Sequence, residues 1–149
     1  MPRIKYLLLA LVLIPAICAC QACGKKNWPA PIAEEERFVW SEMSARVENG
    51  CLDITALLSG KVHNLAALTL EVEMRNKACP GCPFVPTSKV RLDPGDSAWE
   101  RDGALVHVTW CGLQPDMALR WRLVGHSIYT SMEDARSIVH STPQEGAQD

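Results

Sequence analysis

Residues 119–123 read LRWRL and contain the pattern that decides the fold class. Leu119, Trp121 and Leu123 alternate with two arginines. A period of two places successive side chains on opposite faces of an extended strand. One face of this segment is therefore apolar and the other charged, as in an antiparallel sheet that covers a core with one face.

The same alternation recurs in four other short segments, 51–58, 68–74, 89–92 and 106–110. Gly, Pro, Asn or Asp bound each of them, and these residues are typical of turns. Several one-sided strands at short spacing predict an all-β protein, either an antiparallel β-sandwich or a small barrel. Residues 65–74 could alternatively form a helix, since alanine and leucine are good helix formers. Residues 131–140 predict one helical turn followed by a last strand near Ile138 and Val139.

Residues 113–125, which read LQPDMALRWRLVG, carry a more specific pattern. The stretch resembles the end of a fibronectin type III domain, where a leucine and a proline lead through a turn into the sixth strand. This resemblance extends over residues 51–140 and implies a fibronectin type III or immunoglobulin-like sandwich. Leu119 stands where that family has a tyrosine, so the hydroxyl hydrogen bond that ties the corner is missing here.

The composition excludes two classes of protein. The 149 residues contain 15 Lys and Arg and 17 Asp and Glu, which gives a formal net charge of −2 at pH 7. A nucleic-acid-binding domain would need a basic surplus, so we expect no nucleic-acid partner. The hydrophobic content of 48% is sufficient for a packed core, which excludes a wholly disordered chain.

The N-terminal residues have the features of an export signal. Arg3 and Lys5 form a positively charged region, and residues 6–17 contain no charge. This apolar run is too short to span a bilayer comfortably, but it has the length of the hydrophobic region of a signal peptide.

The residues that follow, Ile17-Cys18-Ala19-Cys20, resemble the lipobox of bacterial lipoproteins. The resemblance implies cleavage before Cys20 and attachment of diacylglycerol and a fatty acyl group such as palmitate, which together anchor a protein stably. Cys23 is the alternative lipidation site, since Ala22 precedes it and Gly24 follows it. Gln21 is not the aspartate associated with inner-membrane retention, so the resemblance implies the outer membrane, facing the periplasm.

We therefore expect four segments along the chain. They are a lipoprotein signal peptide over 1–19, a flexible tether over 20–36, the sandwich over 37–140 and a flexible tail over 141–149. Two prolines and three glutamates favour an extended, solvated tether. A first edge strand around Trp28 is the alternative for that segment.

The predicted domain contains Cys51, Cys79, Cys82 and Cys111, and an oxidising periplasm permits disulfides. Four cysteines allow three pairings. Cys51 and Cys111 both fall on the polar face of their strands. In a fibronectin-like order these strands would be the second and the fifth, which are neighbours. We therefore predict a bridge between Cys51 and Cys111, and a tight loop over 79–82 that its own disulfide closes or that stays reduced.

Two functional alternatives concern the CPGC sequence at 79–82. A thioredoxin-like redox pair needs the start of a helix, which Pro83 and Pro86 oppose. A metal site needs further ligands, but the four histidines show no paired spacing and no second CxxC occurs. A metal-binding or thiol-redox protein centred on this loop stays the alternative function.

The sequence contains no motif of a nucleophile elbow, a phosphate-binding loop or a zinc protease, so we predict no enzyme, no catalytic residue, no cofactor and no metal ligand. The acidic residues of 93–102 lack the alternate spacing of a calcium loop. We instead predict a non-catalytic module that binds an envelope protein or the cell-wall polymer through loops at one end of the sandwich. The leading loop residues are Pro80, Gly81, Phe84, Asp96 and Trp99.

Overall fold

The structure is a computed structural model, and it describes residues 34–79 and 81–142. These residues form nine strands: β1 (Phe38–Glu48), β2 (Cys51–Gly60), β3 (Leu65–Arg75), β4 (Ser88–Leu92), β5 (Trp99–Asp102), β6 (Leu105–Cys111), β7 (Ala118–Ser127), β8 (Ala135–Arg136) and β9 (His140–Thr142). In the described part no helix is long and apolar enough to span a membrane. The predicted signal peptide, the lipidation sites Cys20 and Cys23 and the tail beyond residue 142 lie outside the described residues.

The strands form two antiparallel sheets that pack as a sandwich. The first sheet has the order β1-β2-β6-β5, and the second has the order β4-β3-β7-β8 with β9 also paired to β7. The prediction of an all-β antiparallel sandwich is therefore confirmed. The strand that carries Cys111 is the sixth and not the fifth, because β5 forms where the sequence predicts a loop. It is nevertheless the neighbour of β2.

The core lies between the sheets and contains the alternating apolar residues of the predicted strands. The buried members are Leu52, Ile54, Ala56, Leu58, Leu68, Leu70, Val72, Leu92, Val106, Val108, Leu119, Trp121 and Leu123. Residues 65–74 lie in β3 and are not helical, because only a strand directs this alternation of leucines and glutamates to opposite faces. Gly125 of β7 permits a close approach of Phe38, since a Cβ atom there would lie 2.7 Å from the ring.

The first strand is eleven residues long and lies in a segment without simple alternation. The register of β1 on β2 shifts between Trp40 and Glu42, as a β-bulge requires. The inward apolar positions are therefore even-numbered up to Trp40 and odd-numbered from Met43 onward.

The domain also begins earlier than β1, because Asn64 Nδ2 donates to the backbone oxygen and to Oε2 of Glu36, both at 2.8 Å. Glu36, predicted as solvated tether, is thus bound to the sandwich.

The last strand is split into β8 and β9, and the helical turn predicted within 131–140 does not form. The Ser137 hydroxyl accepts a hydrogen bond from the Leu123 backbone nitrogen at 3.0 Å. Arg136 pairs with Val124, whereas His140 pairs with Trp121, so the outer strand contains one extra residue. This bulge leaves Ile138, predicted near the last strand, exposed between β8 and β9.

The two ends of the sandwich carry different loops. We call the end where β1 begins the proximal end and the opposite end the distal end. The proximal end holds the connections 61–64, 103–104 and 128–134, and the distal end holds 49–50, 76–87 and 112–117. Asn49 and Gly50 have φ angles of 52° and 73°, as the type I′ hairpin turn at the distal end requires.

Candidate binding surface on the second sheet

The outer face of the second sheet carries two buried glutamates. Glu71 and Glu73 lie on β3 opposite Arg122 and Arg120 of β7. Their exposed fractions are only 5% and 1%. Arg122 Nε donates to Glu71 Oε2 at 2.6 Å, and Arg120 Nε donates to Glu73 Oε2 at 2.7 Å. Each carboxylate on this face therefore has a cross-strand cation as its partner.

The distal loop 76–87 folds against these ion pairs. Arg120 donates from Nη1 to the backbone oxygen of Cys82 at 2.8 Å and from Nη2 to that of Pro83 at 3.0 Å. The backbone nitrogen of Val85 donates to Glu73 Oε1 at 3.3 Å. The Phe84 ring lies 5.8 Å and 5.0 Å from the guanidinium carbons of Arg120 and Arg122, within the range of cation–π attraction. Side chains of the sheet thus bind the backbone of residues 82–85.

The glutamates stay ionised in spite of their burial. Burial alone raises the pKa of Glu73, but hydrogen bonds from Arg120 and Arg75 and from the backbone of Val85 outweigh it, so the pKa lies below its usual value. Burial likewise raises the pKa of Glu71, and the hydrogen bonds from Lys89 and Arg122 lower it further than burial raises it. The face is therefore a network of permanent charges.

Replacement of Arg120 by methionine is expected to lower the free energy of unfolding by about 2–3 kcal/mol. Removing one member of a buried ion pair costs about 3–5 kcal/mol, and the loss is smaller here because Arg75 still binds Glu73. Chemical denaturation measures the change. Arg46→Met is the control, since Arg46 is exposed and pairs at 3.7–3.8 Å, and its loss should be below ~1 kcal/mol. Adding Glu73→Leu to Arg120→Met should recover part of the stability; no recovery would contradict the role of the buried charge.

The free energy of unfolding is also expected to fall in two steps on acidification. Burial lowers the pKa of His140 from its ordinary 6.5, so the unfolded chain takes up this proton first, and the stability present above pH 6.5 is lost as the pH falls through the folded pKa. The lowered pKa values of Glu71 and Glu73 protect the fold above pH 4.5, and this contribution is lost at lower pH. Urea titrations across this range measure both steps. His140→Phe should remove the first and keep the second; an unchanged first step would refute the assignment.

The structure joins the four cysteines of the described residues in two disulfides. Cys51 is bonded to Cys111 across β2 and β6, the pair that strand parity favours, with the Cα atoms 4.0 Å apart. Cys79 is bonded to Cys82, so the distal loop carries its own small ring. Pro80, the second residue of that ring, lies outside the described residues.

The other predicted binding residues do not form one surface. Gly81 is exposed and Phe84 is half-buried in the distal loop. The prediction that Trp99 lies in a binding loop is wrong. Trp99 is buried in β5, and its Nε1 donates to the Asp93 backbone oxygen at 2.7 Å. Asp96 is exposed, but its Oδ2 accepts from the Asp93 backbone nitrogen at 2.7 Å and closes a turn.

Gly81 and Asp96 lie on two different loops, 76–87 and 93–98, which adjoin opposite ends of β4. Ser88, where β4 begins, lies opposite Val72, and Leu92, where it ends, lies opposite Leu68. Four residue steps of extended chain separate these ends by roughly 14 Å. The prediction that both loops lie at one end of the sandwich is therefore wrong, because an antiparallel strand returns the chain to the other end. Of these two loops, only 76–87 lies at the distal end.

The outer face of the first sheet has a shallow concavity of about 600 Å³. Its polar lining comes from Ser44, Arg46, Asp53, Thr55, His107 and Thr109. These groups mostly bind one another: Thr109 Oγ1 donates to Asp53 Oδ1 at 2.7 Å, and Thr55 Oγ1 lies 3.2 Å from His107 Nδ1. Within 34–79 and 81–142 no group of three His, Cys, Asp or Glu side chains is placed to hold a metal ion.

One arrangement was missed by the sequence analysis. Thr69 Oγ1 lies 2.8 Å from His126 Nε2, and His126 Nδ1 lies 2.8 Å from Asp134 Oδ1. The residues come from β3, β7 and the connection before β8. Thr69 and His126 are 57 positions apart, so no local motif could indicate the contact. The only sequence signal is the polar parity of Thr69 in β3.

No protein-family model, no curated protein and no solved structure matches the chain. The surface available to a partner is the distal loop, which contains the Cys79–Cys82 disulfide and whose backbone is bound by Arg120 of a buried ion pair. Val85 of this loop is an apolar side chain that is 58% exposed.

Proposed function

We propose that this protein is a membrane-anchored lipoprotein that presents a β-sandwich for binding or scaffolding in the cell envelope. The single observation that carries the binding role is the pre-organised segment 82–85 of the loop 76–87. Arg120 holds the carbonyl oxygens of Cys82 and Pro83, while Val85 stays exposed. A loop that is already ordered loses little conformational entropy on binding, which favours affinity.

The position of this loop supports the proposal. The chain enters the sandwich at the proximal end, where Glu36 is bound by Asn64. The loop 76–87 lies at the other end, so it is remote from the point where the predicted tether joins the sandwich. The predicted tether has a root-mean-square reach of roughly 20–25 Å if it is flexible. This range suits contact with neighbouring envelope proteins or with the cell-wall polymer.

The strand order supports the finer fold assignment as part of the same proposal. A sheet of order β1-β2-β6-β5 facing a sheet built on β3 and β7 is compatible with an immunoglobulin-like or fibronectin type III sandwich. Fold alone does not decide function, so the proposal rests on the loop.

A photo-crosslinking amino acid at Val85 tests the binding role in intact envelopes. The matched control is the same amino acid at Ile128, which is also apolar and 52% exposed but lies at the proximal end. We expect a discrete adduct, with one envelope protein or with cell-wall fragments, from position 85 and none from position 128. Equal adducts from both, or adducts from neither, would overturn the proposal.

Intact-mass analysis of membrane-extracted protein tests the anchor. The expected species begins at Cys20 and carries diacylglycerol and a further acyl chain. An acylated Cys23 would correct the site only, and a soluble product with an unmodified N-terminus would overturn the anchor. A bound metal that is lost when Cys79 and Cys82 are replaced, or thiol-oxidoreductase activity of that pair, would support the alternative function instead.

A further inference from the structure

We propose that Thr69, His126 and Asp134 form a reactive site in which the Thr69 hydroxyl is an activated nucleophile for acyl transfer from esters. The site lies on the outer face of the second sheet. It involves none of the groups that hold the loop 76–87, so it is independent of the proposed binding role. In this site Thr69 is the nucleophile, His126 is the general base and Asp134 is the carboxylate that orients the base.

The hydrogen bonds determine which atom carries the proton. An ionised carboxylate can only accept, so Asp134 requires a proton on Nδ1 of His126 at 2.8 Å. A neutral imidazole then has a lone pair on Nε2. The Thr69 hydroxyl, 2.8 Å away, must therefore donate to Nε2. This is the tautomer in which the imidazole can remove the hydroxyl proton while the threonine oxygen attacks a carbonyl carbon.

The surroundings of Thr69 are suitable for this step. Thr69 and His126 are only partly buried, so a substrate can reach the hydroxyl. Arg91 lies directly opposite Thr69 on β4 and is exposed. Its Nε donates to Asp93 Oδ1 at 3.0 Å, and the remaining N–H groups of this guanidinium are the donors that would stabilise a negatively charged carbonyl oxygen. Ala67 and Val124, on the same face of their strands as Thr69, are shielded from water.

The proposed reaction is balanced in two steps. The Thr69 oxygen forms a bond to the carbonyl carbon, the ester C–O bond breaks, and the hydroxyl proton passes through His126 Nε2 to the departing alcohol. Water then attacks the acyl-threonine with His126 as base, which releases the acid and restores the hydroxyl.

The same molecule contains an internal control. Thr55 Oγ1 lies 3.2 Å from His107 Nδ1 on the first sheet, which is also a hydroxyl–imidazole pair. Among the residues that the structure describes, no carboxylate binds the other ring nitrogen of His107. If the orienting carboxylate matters, Thr69 reacts and Thr55 does not.

Incubation with a fluorophosphonate tests the proposal. The Thr69 oxygen would form a bond to phosphorus, fluoride would leave and the proton would pass to His126. We expect one adduct, which peptide mass spectrometry assigns to Thr69 and not to Thr55. His126→Gln and Asp134→Asn should each slow labelling, the former by roughly a hundredfold or more. Thr69→Ser should keep the adduct and Thr69→Val should abolish it. Hydrolysis of p-nitrophenyl acetate should follow the same order.

Three results would overturn the proposal: no adduct at position 69, equal labelling of Thr55, or a labelling rate that His126→Gln does not change in a variant with unchanged thermal unfolding. The first would mean that the trio only fixes the connection before β8 to the sheet. The comparison of Thr69 with Thr55 uses the unaltered protein, so it decides the question even if a variant fails to fold.

Discussion

Replacement of both Cys51 and Cys111 by serine is expected to lower the free energy of unfolding by about 4 kcal/mol. The bond joins residues 60 positions apart. In the chain-entropy account, a cross-link stabilises by restricting the unfolded chain, and a loop of about sixty residues corresponds to roughly 4 kcal/mol. Both residues lie on the outward face of β2 and β6, so serine should cause little strain in the fold. Denaturant unfolding of the oxidised proteins measures the difference.

The second disulfide supplies the matched control. Cys79 and Cys82 are three positions apart, and a ring of that size corresponds to only about 2 kcal/mol in the same account. The double serine variant at 79 and 82 should therefore lose about half as much stability. If this variant lost as much as the first, the loop 76–87 would contribute to stability through its contacts with Arg120 and not through ring closure.

Trp121→Ala is expected to lower the free energy of unfolding by about 3–5 kcal/mol. Trp121 is 1% exposed and is the largest fully buried side chain among the described residues. Its Nε1 donates to Thr142 Oγ1 at 2.8 Å, and its ring stacks on His140 with centroids 4.6 Å apart. The substitution therefore creates a cavity and also removes the side-chain contacts of β7 with His140 and Thr142 of β9. Thermal and urea unfolding measure the loss.

Leu113→Ala is the comparison for Trp121→Ala. Leu113 opens the segment 113–125 and is only half-buried at the edge of the core. A fully buried leucine would cost about 2–5 kcal/mol, so we expect a loss at or below the lower limit of that range. A larger loss for Leu113→Ala than for Trp121→Ala would mean that the packing of the distal end differs from the structure.

Local patterns predicted most of the sheets and missed the first strand for a definite reason. In β6, in β7 and in β3 from Leu68 onward the parity of the core residues is unbroken, so it identifies both the strand and its inward face. In β1 the bulge between Trp40 and Glu42 changes the parity in mid-strand, and a period-two pattern cannot detect that. Trp99 was mistaken for a loop residue because β5 has only four residues, too few to alternate visibly.

The candidate sites were less predictable because their contacts are long-range. Glu73 and Arg120 are 47 positions apart. Each residue alone has the sequence pattern of an ordinary charged side chain on the solvent-facing side of a strand. Their burial depends on the loop 76–87, whose conformation in turn depends on them. Thr69 and His126 meet for a similar reason, since β3 and β7 pair only in the folded second sheet.

By itself the sequence determined that the protein is all-β, which faces of the central strands are apolar, and that Cys51 and Cys111 share a polar parity. These properties follow from the two-residue period of an extended chain, which each segment carries without its neighbours. The tertiary structure alone decided that the loop 76–87 is held by buried ion pairs, that the two candidate loops start at opposite ends of β4, and that a hydroxyl, an imidazole and a carboxylate meet on the second sheet. These depend on strand order and register, because pairing brings together side chains that are distant in the chain.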